Sequence, residues 1–361
     1  MKKILIGGAG GAPSEGVIKS LKHWPRREKI LGMGSSKIDL TLSKADYKYL
    51  MENADSANYS NALIELLKRI KPDFLHLQND LEIFTVSKIR DLILDTGVKL
   101  FMPEHEVIEK CVYKYSSYLA FKAAGIKVPR NIMIENKEQL KSTFSELSNS
   151  DGQIWLRSNE IGGGGKGSLS THNYDLAKSW IDHFDGWGSF IAAEKLSPRT
   201  VTWLSIWYKG ELIVAQSRKR IGWVHSNRSV SGVTGVTHLG ITTSDQIVDD
   251  IAIKSILAVS DSPHGIFGVD MTYDYEGIPN PTEINISRFF TTILFFTEAG
   301  LNMPKIYKNI ALYSKFPKLE KIINPLKNDM CWIRGMDTNP KLISYKKLND
   351  MFNSMHDPIY Q

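Results

Sequence analysis

The 361-residue sequence predicts an α/β domain with a parallel sheet, followed by a mixed region that becomes antiparallel. Strand-like and helix-like segments alternate through residues 2–103, whereas longer strands joined by short turns prevail from residue 189 onward. The hydrophobic fraction of 42% and the charged fraction of 23% are those of a globular protein with a sizeable core.

The composition argues against several classes of protein. No apolar run approaches the roughly 18 residues of a membrane span, and "MKKILIGGAGG" is too short and glycine-rich for a signal peptide, so we expect a cytoplasmic protein without a membrane partner. Cys111 and Cys331 are expected to be reduced structural thiols. The formal net charge of +6 suggests an anionic ligand or simply a solvated basic surface. No nucleic-acid module is recognisable, so a nucleic-acid partner is not expected.

An N-terminal domain is predicted for residues 1–103. Its segments follow one another as "KKILIGG", "SEGVIKSLKH", "EKILGMGS", "NALIELLKRI", "DFLHLQN", "EIFTVSKIRDLILDTG" and "KLFMP". The first turn, "GGAGGAPSEG", could bind a dinucleotide or could be a tight strand-to-helix turn. The turn is the simpler interpretation, because the glycines do not form Gly-x-Gly-x-x-Gly with an acid at the end of the next strand.

A single helix is predicted over residues 104–125, after Pro103. Apolar side chains at helical spacing define its buried face, and Lys114 falls within that face. Such a lysine either extends along the apolar surface to solvent or meets an anion, and the sequence leaves both open.

The stretch "IWLRSNEIGGGGKGSLST", residues 154–171, has the composition of a phosphate-binding loop. A Walker loop is excluded, because Lys166 is followed by Gly167 and a strand-like segment instead of by Ser or Thr and a helix. Arg157 shares a strand face with Trp155 just before the glycines. We expect this strand cation and the flexible hairpin to hold a polyphosphate.

From residue 189 onward the chain is predicted to be antiparallel, because long strands are joined by hairpin signals such as "YKGEL" and "YDYEGIP". The remaining residues, 316–361, are predicted to be a polar and basic tail without a further motif.

The hairpin "FGVDMTYDYEGIPNPTEINISR" carries the strongest chemical signal. A turn centred on Glu276 and Gly277 would place Asp270 opposite Glu283, with their Cβ atoms about 5 Å apart. Two carboxylates at that distance repel unless a proton or a cation lies between them. Asn285 shares their face, and this set of oxygen donors suits Mg²⁺.

The order of these motifs resembles the ATP-grasp superfamily, and within it one ATP-grasp half of the carbamoyl-phosphate synthase large chain. The resemblance spans roughly residues 1–304. It implies an N-terminal pre-ATP-grasp domain, an ATP-grasp small (lid) subdomain over 104–190 and a large subdomain with the metal site over 191–315.

The resemblance also implies roles for individual residues. "YKYSSYLAFKAAGIKVP" is similar to the family's phosphate-contacting helix, and "AAEKL" to the segment beneath the adenine. The implied cofactor-binding residues are Lys114, Arg157, Gly163, Gly164, Lys166, Glu194 and the backbone of Leu196. The implied metal ligands are Asp270, Glu283 and Asn285.

Three positions depart from the family pattern. Tyr113 stands where an acid is usual, and Thr200 or Thr202 stands near the usual ribose-binding acid. The arginine after the last metal ligand is displaced by one position and becomes Arg288. Arg157 and Arg288 are the candidate catalytic residues.

The activity that the resemblance implies is that of an ATP-grasp carboxylate-amine ligase. ATP with Mg²⁺, or with Mn²⁺ in its place, would phosphorylate a small-molecule or peptide carboxylate, and an amine or another nucleophile would displace phosphate. "SRKRIGWVHSNRSVSGVTGVTHL" is interpreted either as a substrate-facing loop with His225 and Arg228 as anion contacts or as a plain surface loop. A homodimer is compatible with this interpretation.

Two other functions remain open from the sequence. A nucleotide-binding regulator could keep this fold without turnover, as the irregular ribose and arginine positions suggest. A nicotinamide-dependent oxidoreductase built on the N-terminal domain is the third alternative. ADP formation separates the first two, and nicotinamide binding would support the third.

Overall fold

The computed structural model describes residues 1–23, 25, 27–162, 165, 167–336 and 341–353. Its N-terminal domain comprises β1 (Lys2–Ile6), α1 (Ala12–Lys22), β2 (Glu28–Gly34), α2 (Lys37–Leu42), β3 (Tyr47–Leu50), α3 (Tyr59–Ile70), β4 (Phe74–His76), α4 (Asp80–Lys88) and α5 (Arg90–Leu94). The strands form a parallel sheet in the order β3-β2-β1-β4, which confirms the predicted fold class of this domain.

The glycine-rich turn after β1 is closed by the chain itself. The carboxylate of Glu15 accepts hydrogen bonds from the backbone N–H groups of Gly10, at 3.0 Å, and Lys44, at 2.9 Å. Gly10 has a φ of 95°, and a Cβ there would lie 2.0 Å from the carbonyl oxygen of Asp39. The glycine therefore permits a close backbone approach, as the tight-turn interpretation expects.

The next segment is two helices, α6 (His105–Val112) and α7 (Lys114–Ala123), rather than the single predicted helix. Tyr113 separates them with extended backbone angles, φ −91° and ψ 108°. Cys111 and Phe121 are buried in the same core as Phe267 and Ile284 of the large lobe. These helices thus pack on the large lobe.

A separate lid contains β5 (Asn131–Ile134), α8 (Lys137–Leu147), β6 (Ile154–Ser158), β7 (Leu169–Thr171), α9 (Tyr174–His183) and β8 (Phe190–Glu194). Its antiparallel sheet has the order β5-β8-β6-β7, and its own core includes Ile134, Leu156 and Phe190. The packing corrects the predicted span 104–190 at both ends: α6 and α7 pack elsewhere, and the whole of β8 belongs to the lid sheet.

The large lobe contains β9 (Thr200–Tyr208), β10 (Glu211–Trp223), β11 (Thr237–Thr243), α10 (Gln246–Val259), β12 (Gly265–Tyr273), β13 (Pro279–Ile286), α11 (Ile293–Glu298), α12 (Met303–Tyr313), β14 (Met330–Ile333), β15 (Lys341–Ser344) and α13 (Tyr345–Asn353). The sheet order is β13-β12-β9-β10-β11-β14-β15, with antiparallel pairing throughout. The predicted tail 316–361 is therefore wrong as a separate element, because β14 and β15 extend this sheet.

The N-terminal domain and the large lobe share a hydrophobic core. Ile4 and Phe74 of the parallel sheet pack in one cluster with Leu204, Phe289 and Tyr307. This burial fixes the carboxyl end of β4 beside the end of β13. Both cysteines are free and buried. None of the helices in the described part of the chain combines the length and apolar character that crossing a bilayer requires.

Candidate functional site

The hairpin of β12 and β13 places Asp270 directly opposite Glu283, as predicted. The turn itself differs from the prediction, because Asp274 pairs with Ile278 and the loop is centred on Glu276 alone. A bulge at Thr282, between the pairs Asp270–Glu283 and Met271–Pro281, shifts the register back by one residue. The earlier turn centre and the bulge change the register by one residue in opposite directions, so Asp270 still lies opposite Glu283.

The pair belongs to a polar row that crosses four strands. Glu283 on β13 pairs with Asp270 on β12, Asp270 with Thr202 on β9, and Thr202 with Arg218 on β10. Residues that are directly opposed in antiparallel strands point to the same face of the sheet. The row therefore places two acids at one end and a cation at the other.

Asp270 is held in its ionised form by its neighbours. Its Oδ1 accepts a hydrogen bond of 2.5 Å from Thr202 and lies 3.6 Å from Nη2 of Arg220, while its Oδ2 accepts one of 3.1 Å from Asn285. Burial alone would raise the pKa of Asp270, but the Arg220 charge and these hydrogen bonds hold the pKa below its usual value. Asp270 is thus a half-buried, ionised carboxylate.

Arg288 joins the hairpin to the N-terminal domain. Its Nε and Nη2 donate to the two carboxylate oxygens of Asp80, the second at 3.1 Å, and Nη2 also donates to Oδ1 of Asn285. Burial opposes the charged form of Arg288, yet Asp80 and Glu283 raise its pKa above the usual value. Asp80 is the first residue of α4, just beyond the carboxyl end of β4.

Lys114 is the first residue of α7 and approaches the glycine-rich loop. Its Nζ lies 3.5 Å from the carbonyl oxygen of Gly162. Burial lowers the pKa of Lys114, while the charges of Glu283 and Asp80 oppose that shift. The break at Tyr113 turns this lysine toward the acids of the hairpin, which the one-helix prediction could not show.

Arg157 connects the lid to the hairpin. Its Nη2 donates to the carbonyl oxygen of Thr282, the bulge residue, at 3.2 Å, and its buried Nε has no hydrogen-bond partner. Burial lowers the pKa of Arg157, and the nearby charge of Glu283 opposes this effect. A half-buried guanidinium with a neutral partner and a spare N–H is suited to receiving an anion.

The glycine-rich loop reaches two parts of the site. The side chain of Asn159 accepts a 2.8 Å hydrogen bond from the backbone N–H of Tyr115 in α7. A Cβ at Gly165 would lie 3.2 Å from Val233, in the loop between β10 and β11. The predicted cofactor-binding residues Gly163, Gly164 and Lys166 lie outside the described residues.

The segment predicted to lie beneath an adenine follows β8. Glu194 accepts hydrogen bonds from the side-chain Nε of Arg130, at 2.7 Å, and from its backbone N–H, at 2.8 Å. Its carboxylate is therefore engaged within the lid. Leu196 follows two residues later and is half-buried.

Sequence reasoning missed four charged residues of this region: Asp80, Arg218, Arg220 and Arg334. The "SRKR" stretch carried a signal for two of them, since alternate arginines of a strand point to one face. His225 and Arg228 of the same segment are exposed, and the cations near Asp270 are Arg218 and Arg220.

The oxygen donors of the hairpin fit a hard divalent cation. Among the described residues, the Glu283 carboxylate accepts no hydrogen bond, and it faces Asp270 across the strand pair. No group of three or more His, Cys, Asp or Glu side chains in the described part of the chain could hold a metal ion. Two carboxylates and an amide are nevertheless enough for Mg²⁺ with substrate phosphates and water. Asn285 would join them through its Oδ1, which accepts one hydrogen bond from Arg288 and keeps a second lone pair.

Solved structures share this arrangement of a parallel N-terminal sheet, a lid and a large antiparallel sheet. N5-carboxyaminoimidazole synthetase from Staphylococcus aureus, complexed with ADP, aligns with a TM-score of 0.69 at 14% identity, over 98% of this chain and 86% of that chain. The chain has the ATP-grasp fold.

Two further ATP-grasp structures are similar. The biotin carboxylase domain dimer of Hydrogenobacter thermophilus 2-oxoglutarate carboxylase, solved with MgADP, ADP and bicarbonate, aligns with a TM-score of 0.69 at 16% identity, over 92% of this chain and 73% of that chain. L-amino acid ligase from Bacillus licheniformis aligns with a TM-score of 0.66 at 10% identity, over 92% and 79%. No family model matches the sequence, and no curated protein matches it significantly.

Proposed function

We propose that the protein is an ATP-dependent ligase that phosphorylates a carboxylate and transfers the acyl group to an amine or another nucleophile. One observation carries the proposal: cations from three parts of the fold surround the end of β13 that carries Glu283. Arg157 of the lid donates to Thr282, and Arg288 donates to Asn285 and to Asp80 of the N-terminal domain. Lys114 at the start of α7 is near enough for its charge and that of Glu283 to interact. A triphosphate and its metal ion need this combination of cations and carboxylates.

In this proposal Lys114 and Arg157 hold the ATP phosphates from the two sides of the glycine-rich loop. The spare N–H of Arg157 and the weak 3.5 Å contact of Lys114 leave both cations able to bind a more strongly charged acceptor. Gly163, Gly164 and Lys166 would cover the phosphates. Because the Glu194 carboxylate is engaged by Arg130, Glu194 and Leu196 would contact the adenine through their backbones.

Asp270, Glu283 and Asn285 would hold Mg²⁺, for which Mn²⁺ could substitute. The ion would neutralise charge on the phosphoryl group as it is transferred. Arg220 and Thr202 keep Asp270 ionised and oriented, so the carboxylate is available at neutral pH. When Mg²⁺ binds, its charge would replace the nearby charges of Lys114, Arg157 and Arg288 as the main partner of the Glu283 carboxylate.

Arg288 is proposed to orient the reacting carboxylate. A substrate carboxylate oxygen would attack the γ-phosphorus, and ADP would leave with the electron pair of the broken P–O bond. The nucleophile would then attack the acyl carbon of the resulting acyl phosphate, and phosphate would depart. The guanidinium of Arg288 would stabilise the oxyanions of both steps, since Asp80 fixes its position.

The similar structures support a ligase of this class, because their names include a synthetase, a carboxylase domain and an L-amino acid ligase. The closer likeness to a carbamoyl-phosphate synthase half rests on the sequence motifs alone. A small-molecule or peptide carboxylate is the proposed substrate, and a cytoplasmic homodimer is the proposed state.

The test is to incubate the protein with ATP, Mg²⁺ and pooled metabolites and to identify the consumed compounds by mass spectrometry. We expect ADP and phosphate in amounts equal to the carboxylate consumed. AMP and pyrophosphate would instead indicate an adenylating enzyme. Tight ATP binding without any turnover would support the regulator alternative. Glu283→Gln should abolish product formation, whereas Glu276→Gln, an exposed acid in the turn of the same hairpin, should not.

A further inference from the structure

Three arginines lie at the far end of the polar row from Glu283. Arg218 and Arg220 are on β10, and Arg334 follows β14. Arg220 lies 3.6 Å from Asp270, but no carboxylate oxygen of the described residues lies within 4.0 Å of Arg218 or Arg334. Among the described residues, one carboxylate, that of Asp270, thus lies within 4.0 Å of any of the three guanidinium groups, so positive charge is in excess here.

The position of Arg218 is fixed by hydroxyl groups and by packing. It donates to Thr237 at 2.9 Å, Thr292 at 2.8 Å and Thr202 at 3.0 Å, and it is only 1% exposed. A Cβ at Gly240 would lie 2.9 Å from Cδ of Arg218, so glycine leaves the room that this side chain occupies. The guanidinium is thus preorganised without a charged partner.

Burying this cation is unfavourable in the absence of an anion. Burial, and then the positive charge of Arg220, lower the pKa of Arg218 to about 9, although Asp270 opposes the shift. The buried Nε of Arg218 has no hydrogen-bond partner. Buried charges in proteins are normally paired, so the cluster points to a ligand that supplies the missing charge.

Arg220 and Arg334 have donors that a ligand could engage. The bonds from Arg220 to threonine hydroxyls are long, 3.3 to 3.4 Å, and its guanidinium lies 3.8 Å from the ring centre of Trp223. Arg334 donates one bond, of 2.8 Å, to the carbonyl oxygen of Thr291. A charged oxygen acceptor would replace these neutral contacts with stronger ones.

We propose that Arg218, Arg220 and Arg334 form a subsite for a second anionic group of the substrate, either a phosphate monoester or a second carboxylate. The inference rests on the proposed function, because it assigns to that ligase site a substrate with at least two anionic groups. Arg218 and Glu283 are three strands apart, about 14 Å at the usual strand spacing. The Arg218 end of the subsite is therefore separate from the phosphate contacts proposed for Lys114 and Arg157, and Arg220 lies between the two, 3.6 Å from Asp270.

The experiment is isothermal titration of the full-length protein with inorganic phosphate, succinate and acetate at constant ionic strength. Saturating Mg²⁺ and a nonhydrolysable ATP analogue fill the nucleotide site first. We expect phosphate or succinate to bind at least tenfold more tightly than acetate, and the tighter of the two identifies the second group. Arg220→Met and Arg334→Met should each weaken this binding at least tenfold. Analogue affinity should stay unchanged within twofold in Arg334→Met, because Arg334 lies outside the proposed metal and nucleotide contacts.

Arg69→Met, which alters an exposed arginine of α3, is the matched control and should bind like the wild type. The proposal is overturned if the three anions bind equally, or if neither variant in the cluster changes their affinity. A different result would contradict the proposed ligase function alone. In that case the wild type would not bind the ATP analogue, but phosphate or succinate binding would still depend on Arg220 and Arg334.

Discussion

Arg288 at the end of β13 is bound through two of its nitrogens to the carboxylate of Asp80, at the start of α4 in the N-terminal domain. The two residues are 208 positions apart in the sequence. The same guanidinium contacts Asn285, a proposed metal ligand. The N-terminal domain thus helps to position the chemistry of the large lobe.

Replacing Asp80 with Asn should therefore weaken both stability and turnover. Breaking a fully buried ion pair by removing one partner typically costs about 3 to 5 kcal/mol, because the other charge remains buried. The side chains of Asp80 and Arg288 are 17% and 16% exposed, so a loss at the lower end of this range is expected. We expect the free energy of unfolding in urea to fall by about 3 kcal/mol and kcat to fall at least tenfold. Asp80→Glu should restore part of both, and Asp91→Asn, at an exposed site in α5, should change neither. Unchanged stability and kcat in Asp80→Asn would show that the contact has no role.

Arg157→Ala should reduce nucleotide affinity more than stability. Its only hydrogen bond is to a neutral carbonyl oxygen, and no carboxylate in the described part of the chain pairs with it. We expect the dissociation constant of a nonhydrolysable ATP analogue to rise at least tenfold, with the apo melting temperature nearly unchanged. A large drop in melting temperature with unaltered affinity would assign Arg157 a structural role. Arg69→Ala provides the control for loss of an arginine.

The glycine-rich loop, residues 161–168, should become protected when ATP binds. Glycine has little intrinsic preference for one backbone conformation, so a bound phosphate supplies the order. Hydrogen exchange with and without the ATP analogue measures this effect. Protection should increase in the loop and stay constant in α9, which lies in the same lid. Equal exchange of the loop in both states would contradict its role as a cover.

The raised pKa of Glu82 should lower the free energy of unfolding as the pH rises from about 4.5 to 7. Burial raises the pKa of this carboxyl to about 7, although the hydrogen bond from Tyr59 opposes the shift. Between these pH values the unfolded chain loses its proton while the folded protein keeps it, so ionisation favours the unfolded state. Above pH 7 the contribution of Glu82 should make the free energy of unfolding about 3 kcal/mol smaller than it is below pH 4.5.

Glu82→Gln should remove most of this dependence, while Glu65→Gln, at an exposed position in α3, should retain it. Urea unfolding at pH 5 and pH 8 provides the comparison. The account of Glu82 would be wrong if wild type and Glu82→Gln lost the same stability over this interval.

The sequence allowed the Asp270–Glu283 pair to be predicted because hairpin register depends on nearby residues. Even there, the bulge at Thr282 compensated for a turn centred one residue earlier than expected. The position of Arg218 relative to Asp270 could not be predicted, because it depends on β9 lying between β10 and β12 in the sheet. The contact of Asp80 with Arg288 depends on how the N-terminal domain packs on the large lobe, which no local sequence pattern encodes. The break at Tyr113 was missed because apolar spacing continues through it.

The Mg²⁺ dependence of ATP-analogue binding in wild type and Glu283→Gln tests the central claim most directly. This measurement requires no knowledge of the carboxylate substrate. Isothermal titration is performed with Mg²⁺ and, in parallel, with EDTA, and Glu276→Gln provides the control within the same hairpin. Glutamine keeps the shape and one oxygen of Glu283 but removes the charge that would face the ion.

We expect Mg²⁺ to tighten binding of the analogue at least tenfold in the wild type and in Glu276→Gln, and to have less than a twofold effect in Glu283→Gln. A wild type that binds no nucleotide, or a Glu283→Gln variant with the full Mg²⁺ effect, would contradict the account.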